Sequence, residues 1–249
     1  MHILITNDDG IHAPGLRALA DGLIAAGHRV TVCAPDRERS AASHSVTIGR
    51  PLKAAPVDYP GAQRAWAVDS TPSDCASLGL WLTRDDPVDL VIAGINYGMN
   101  QGGACVYSGT VGAAMEAAMC GTQAMAVSLC VHRNKTADYT AAARLAARVA
   151  EWIPAHPLPL GCIYNLNVPH IPYEKLRGLT AAHMSPTYMG APVYTKTEDG
   201  YLYHHNESVP LTVPRGDIQL TDQGYATITK LTWAFRHPED DAELNEIGL

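Results

Sequence analysis

Four short stretches of this 249-residue chain carry side chains capable of chemistry. Asp8 and Asp9 are adjacent carboxylates placed directly after the apolar run Ile3 to Thr6. Ser40, Ser43 and His44 follow a β-branched run from Arg29 to Ala34, and Asn96 and Asn100 follow another from Asp89 to Ala93. Ser108, Gly109 and Thr110 open a stretch of helical character that ends at Met119. Two carboxylates, a hydroxyl and an amide oxygen form an all-oxygen donor set, which suits Mg²⁺, Mn²⁺ or Ca²⁺ better than a soft metal. Hydroxyls and free backbone N–H groups at a helix N-terminus attract anions. A cation site and an anion site meeting at one place describe hydrolysis of a phosphate ester. Each stretch also has a plainer reading: Asp and Ser are common helix caps, and a lone loop histidine such as His44, a candidate acid or base, is commonly a surface residue.

These residues need a frame that brings them together. Pro14 suits the first turn of a helix in which Leu16, Leu19, Leu23 and Ile24 share a face, and Gly27 suits its end. With the flanking apolar runs this is a β-α-β unit. The pattern continues with a strand at Ala65 to Val68, a helix at Pro72 to Leu82, strands at Asp89 to Ala93 and Ala124 to Leu129, a helix at Thr136 to Ile153 and a strand at Ile163 to Val168. Strands that are apolar on both faces, alternating with helices, imply a parallel, doubly wound, Rossmann-like α/β sheet. In such a sheet ligands bind beyond the carboxyl ends of the strands, where all four stretches fall. The expected division is a catalytic body over 1–170 and a C-terminal extension over 171–249. In the extension helical periodicity disappears; Ala191 to Thr197 and Gly200 to His204 read as extended β arms, Gly224 to Leu231 as a late strand, and Pro238 to Leu249 as an acidic helical or frayed tail.

Composition narrows the class. The formal net charge of -7 argues against duplex nucleic acid or an acidic membrane surface as partner, since both require a basic face. The six cysteines form no C-x-x-C pair and read as free thiols, and no apolar run is long enough to span a bilayer, so a soluble, cytoplasmic protein is expected. There is no G-x-x-x-x-G-K-[ST] loop and no H-E-x-x-H pair, which removes a P-loop and that zinc site from consideration.

The motifs themselves are similar to those of a known family. I-L-I-T-N-D-D-G-I-H-A-P-G-L (Ile3 to Leu16) resembles the opening signature of the SurE 5′/3′-nucleotidases, the stationary-phase survival proteins. A-P-D-R-E-R-S-A-A-S-H-S, T-P-S-D-C, A-G-I-N-Y-G-M-N and Y-S-G-T-V-G-A-A-M-E-A follow in order, the last beginning at Tyr107. The resemblance implies a metal-dependent phosphatase acting on nucleoside monophosphates, with some reach to short polyphosphate, and one divalent ion per subunit, Mg²⁺ or Mn²⁺. It implies metal ligands at Asp8, Asp9, Ser40 and Asn96, with Asp8 and Asp9 catalytic, and substrate contacts at Asn100, Ser108, Gly109 and Thr110. It also implies a homodimer or homotetramer built through the C-terminal arms. Two departures bear on substrate choice: Ser70 stands where glycine is frequent, and the loop Gln101 to Val106 is glycine-rich where acidic residues are frequent. Two other classes fit the same layout, a sugar-nucleotide glycosyltransferase and a non-catalytic nucleotide sensor. Release of phosphate from a nucleoside monophosphate separates both from a nucleotidase.

Overall fold

The computed structural model describes residues 1–131, 136–188, 191–204 and 209–233. The elements run β1 (His2–Thr6), α1 (Pro14–Ala25), β2 (Arg29–Pro35), β3 (Ala54–Pro56), β4 (Arg64–Val68), α2 (Pro72–Leu82), β5 (Leu90–Tyr97), α3 (Gly109–Met119), β6 (Ala124–Cys130), α4 (Thr140–Trp152) and β7 (Cys162–Pro169). They continue with β8 (Leu179–Ala181), β9 (Thr187–Tyr188), β10 (Val193–Thr197), β11 (Gly200–His204), β12 (Val209–Pro210), α5 (Asp217–Asp222) and β13 (Ala226–Thr232).

The main sheet has the order β3-β4-β2-β1-β5-β6-β7-β13-β8. The six strands from β4 to β7 are mutually parallel. Counting only those six, their order is that of the doubly wound dinucleotide-type sheet, which reverses direction between β1 and β5. The carboxyl ends of β1 and β5 therefore bound a crevice. Side-chain alternation builds the two layers that flank the sheet: Ile3 and Ile5 of β1 pack with Leu16, Leu19 and Leu23 of α1 and with Leu145 and Val149 of α4. Leu4 faces the other way, with Cys75 and Ala76 of α2 and Ala113, Ala114 and Ala117 of α3. The small residues on α2 and α3 let those helices lie close. A Cβ on Gly79 would sit 2.8 Å from Leu4 and 2.9 Å from Cys33, so α2 rests directly on β1 and β2.

Several expectations are refined. The strand expected over Asp89 to Ala93 runs on to Tyr97, with a register irregularity against β6 between Ala93 and Asn96. The helix expected from Thr136 begins at Thr140, because the Asp138 carboxylate accepts the Thr140 N–H at 2.9 Å and turns the chain there. Helical structure does not end at Ile171: α5 is a helix of six residues, too short to show a period. The late strand is present as β13, antiparallel to β7, and β8 adds to its outer edge, so the extension completes the sheet that the body begins. β10 and β11 form the expected hairpin. The expected tail at Pro238 to Leu249 lies outside the described residues. No helix among the described residues is long and apolar enough to cross a membrane.

Candidate active site

The crevice between β1 and β5 is where the chemistry-bearing loops converge. Asn7 shapes the first loop: its side chain donates to the Gly10 carbonyl at 2.9 Å and accepts the Gly10 N–H at 3.2 Å, closing a tight turn around Asp8 and Asp9. Gly10 has φ +101, a left-handed conformation that favours glycine. The loop after β2 is tied to this turn by the Arg39 N–H, which donates to the Asp8 carbonyl at 2.7 Å. It is tied to the start of α3 by the Ser43 N–H on the Tyr107 carbonyl at 3.0 Å and by the Ser43 hydroxyl on the Val106 carbonyl at 2.7 Å. Ala41 and Ser43 both hold φ near the left-handed region, at 57° and 54°, an uncommon backbone for side-chain-bearing residues that these bonds maintain. The loop after β5 reaches the pair through the Tyr97 N–H, which donates to Asp9 Oδ2 at 3.3 Å across the point where the sheet reverses.

Asp8 is 4% exposed, and among the described residues neither Asp8 nor Asp9 has a cationic side chain within ion-pair distance. Burial pushes the Asp8 carboxyl above its ordinary range, opposed by the hydroxyl and amide of Thr110. Asp9 is pushed up to about 7, first by burial, then by the charge of Asp8, with a smaller contribution from Glu38. Two carboxylates that resist ionisation, placed together without a cation, form a site that a bound cation would stabilise. The donor types present fit a hard divalent ion. Among the described residues no group of three or more His, Cys, Asp or Glu gathers at ligating distance, so oxygens of other residues must complete the set. Asn96 Nδ2 donates to the Gly98 carbonyl at 2.9 Å, so the amide oxygen is the atom that could ligate a cation. The Ser40 hydroxyl donates its proton to Glu38 at 2.7 Å and so keeps its oxygen lone pairs available.

The start of α3 lies directly against Asp8. A Cβ on Gly109 would come within 3.0 Å of the Asp8 Cβ and 3.0 Å of Pro72, so a side chain here would push on both. Ser108 caps the helix, its hydroxyl oxygen accepting the Val111 N–H at 3.0 Å, and its own proton remains to donate. The Thr110 hydroxyl, expected to face substrate, instead donates to Asp8 Oδ1 at 2.6 Å. Asn100, also expected to touch substrate, is 5% exposed and belongs to a buried polar network. Its Nδ2 donates to the Ser128 hydroxyl at 2.9 Å, and its carbonyl accepts from Asn165 and Asn167. His44 bonds through Nε2 to Glu116 Oε2 at 2.7 Å, one turn beyond Gly112, where a Cβ would meet the His44 backbone.

Three neighbours escaped the sequence reading. Glu38, two residues before Ser40, was within reach of a loop-composition argument. Glu116 stands at an unremarkable helix position. Tyr139, whose hydroxyl is pushed up to about 12 by burial and then by the charge of Asp9, is brought there only by the packing of α4. Of the two departures noted in the sequence, Ser70 is buried, donating to Asp74 and bonded to the Thr47 hydroxyl at 2.8 Å, so it fastens the Thr47 segment to α2.

The fold is a doubly wound α/β sheet with two adjacent carboxylates at its switch point, Asp8 buried and Asp9 half-buried, against the N-terminus of a helix. The sequence pattern described as "Survival protein SurE" matches residues 3–191, and the chain belongs to the SurE family. It is 45% identical over 181 residues to the 5′-nucleotidase SurE of Trichormus variabilis, covering 72% of this chain and 68% of that protein. It is 40% identical over 239 residues to the 5′-nucleotidase SurE of Synechococcus sp. (strain JA-3-3Ab), covering 93% and 91%. The crystal structure of the SurE protein from Aquifex aeolicus superposes with a TM-score of 0.84 over 99% of both chains, at 27% identity.

Proposed function

We propose that this protein is a 5′-nucleotidase that hydrolyses nucleoside monophosphates to nucleoside and phosphate with the help of one divalent cation. The observation that carries the reading is the pair formed by buried Asp8 and half-buried Asp9 beside the first turn of α3, with no cationic side chain within ion-pair distance among the described residues. Asp8, Asp9, Ser40 and Asn96 would hold Mg²⁺ or Mn²⁺, which when bound supplies a Lewis acid for a phosphoryl oxygen and a more acidic water.

The rest of the chemistry is assigned to side chains of the chain itself. Thr110 and the helix N-terminus keep Asp8 in place and favour its ionised form. The Ser108 hydroxyl and the Gly109 N–H at the start of α3 face developing charge on the phosphoryl oxygens, where preorganised donors have their largest effect. Thr110 serves Asp8 through both its hydroxyl and its amide, and so reaches the phosphate by way of that carboxylate. Asn100 acts one layer back, setting the floor of the site through Ser128.

The reading includes a homo-oligomer assembled through the arms, and the exposed Val193, Tyr194, Tyr201, Leu202 and Tyr203 of the β10–β11 hairpin support it. It also includes the cytoplasm as location, in keeping with six free cysteines. The test is phosphate release from a panel of 5′- and 3′-monophosphates with chelator, Mg²⁺ or Mn²⁺. Cation-dependent release from 5′-monophosphates is expected; nucleotide binding with no release would leave a sensor in place of an enzyme.

A further inference from the structure

The loop Gln101 to Val106 carries two adjacent glycines, Gly102 and Gly103, packed against the C-terminal extension. Gly102 holds φ +50, and a Cβ there would collide with the Ser185 carbonyl; a Cβ on Gly103 would collide with the Thr187 hydroxyl. The extension lies so close that a side chain at either position has no room.

Three consecutive residues of this loop are bonded to the extension. Gln101, 3% exposed, donates through Nε2 to the Asp217 carbonyl at 2.8 Å and to the Thr221 hydroxyl at 2.7 Å. The Gly102 N–H donates to Asp217 Oδ2 at 3.1 Å, and the Gly103 N–H to the Thr187 hydroxyl at 2.8 Å. Asp217 is fully buried, and among the described residues it has no cationic partner within ion-pair distance. Its carboxylate is satisfied by backbone donors from three segments: Gly102 on Oδ2, and Ser185 and Ile218, each at 2.9 Å, on Oδ1. A carboxylate accepts on both oxygens, whereas an amide at this position would turn an NH₂ group toward at least one backbone N–H.

What the loop carries makes the bond consequential. From Gly102 the chain makes a five-residue 3₁₀ helix, Gly102–Val106, and arrives at Tyr107 and the Ser108 cap of α3. The carbonyls of Val106 and Tyr107 are also the acceptors that hold Ser43, and with it the loop bearing Ser40. Displacing Gly102 therefore displaces both the phosphate-facing end of α3 and the neighbouring ligand loop.

We propose that Asp217 is a positioning residue for the reaction: a buried carboxylate in the C-terminal extension that, through the Gly102 N–H, sets where α3 begins relative to Asp8. The proposal rests on the nucleotidase reading above. The experiment compares the wild-type protein with Asp217→Asn and Thr187→Val, the second removing the Gly103 acceptor at a half-buried edge of the same clamp. Amide hydrogen exchange is read over 101–111, kcat and KM are measured for 5′-AMP, and the Mn²⁺-induced shift in melting temperature is recorded. The expected result for Asp217→Asn is faster exchange confined to 101–111 and its partners, kcat lowered roughly tenfold or more, and a Mn²⁺ shift that is reduced but still present, since Asp8 and Asp9 stay in place while the Ser40 loop moves, and small misplacements of binding groups reduce rate steeply. Thr187→Val should move exchange and kcat in the same direction by less. Exchange raised throughout the molecule with kcat per folded protein unchanged would overturn the proposal, as would wild-type exchange over 101–111. If Asp217→Asn does not fold, Thr187→Val decides, and wild-type exchange and kcat in that variant overturn it. A wild-type protein that releases no phosphate from any monophosphate ends the nucleotidase reading and this proposal together, whereas an active wild type matched by both variants ends this proposal alone.

Discussion

Asp8 and Asp9 lie side by side, and among the described residues neither has a cationic side chain within ion-pair distance, so the metal-free fold carries an uncompensated repulsion. Asp8→Asn or Asp9→Asn should therefore melt at or above the wild-type temperature in chelator. Cation at about 100 times its dissociation constant should raise the wild-type melting point by about 5 to 10 °C, equivalent to roughly 2.7 kcal/mol, and each variant should lose most of that shift. The same pair sets a pH dependence. The Asp9 carboxyl titrates at about 7 in the fold against 3.8 in a free aspartate, so the fold binds its proton more tightly than the unfolded chain does. That contribution to stability is fully present at pH below the unfolded value and is lost as pH rises through the folded one. Metal-free melting temperatures should accordingly fall from roughly pH 4 up to roughly pH 7, and the fall should shrink in Asp9→Asn. Thr110→Val removes the hydroxyl that holds Asp8, a bond to a charged group of about 1.5 to 3 kcal/mol. Titration calorimetry should find its Mn²⁺ affinity about tenfold to a hundredfold weaker, with Thr110→Ser close to wild type. Wild-type affinity in Thr110→Val would return Thr110 to a purely phosphate-facing role.

At the level of elements, close approach of backbones decides much of the site's geometry. Gly15 of α1 is one such place: a Cβ there would overlap the Ile95 carbonyl, at the end of the strand that delivers Asn96. Gly15→Ala should destabilise the protein by about 1 to 3 kcal/mol in urea unfolding, as overpacking does, and should weaken cation binding by shifting Asn96. An unchanged midpoint would show that α1 yields freely. The parallel strands and their helices were legible because each carries a continuous apolar run or a period of its own, and Pro72 to Leu82 matches α2 end to end. The loops bearing Asp8, Ser40, Asn96 and Ser108 could be placed on one edge because sheet handedness puts them there. What could not be read was contact. Nothing in Thr110 announces that its proton goes to Asp8, and Asn100 looks like a loop amide until β7 supplies Asn165 and Asn167 around it. β3, β8 and α5 are three, three and six residues long, shaped by the sheet edge or loop they pack against, with no sequence period to give them away.

On the scale of the whole molecule, the residues after 170 add β13 and β8 to the main sheet and form the β10–β11 hairpin, which exposes Val193, Tyr194, Tyr201 and Leu202. Tyr194, Tyr201 and Leu202 are exposed on the two strands of β10–β11, and light scattering after size exclusion should report a dimer or larger at micromolar concentration. A clean, active monomer would separate the arms from assembly. The central claim, that a carboxylate pair at the switch point of a doubly wound sheet holds a cation for phosphate-ester hydrolysis, is tested most directly by one titration. Wild-type protein stripped with chelator is given increasing Mn²⁺ while phosphate release from 5′-AMP is followed, in parallel with Asp8→Asn and Asp9→Asn. Activity that rises from zero, saturates with the binding curve and is lost by a hundredfold or so in each variant is the predicted result. Full activity in chelator, or variants that hydrolyse as well as wild type, would contradict it.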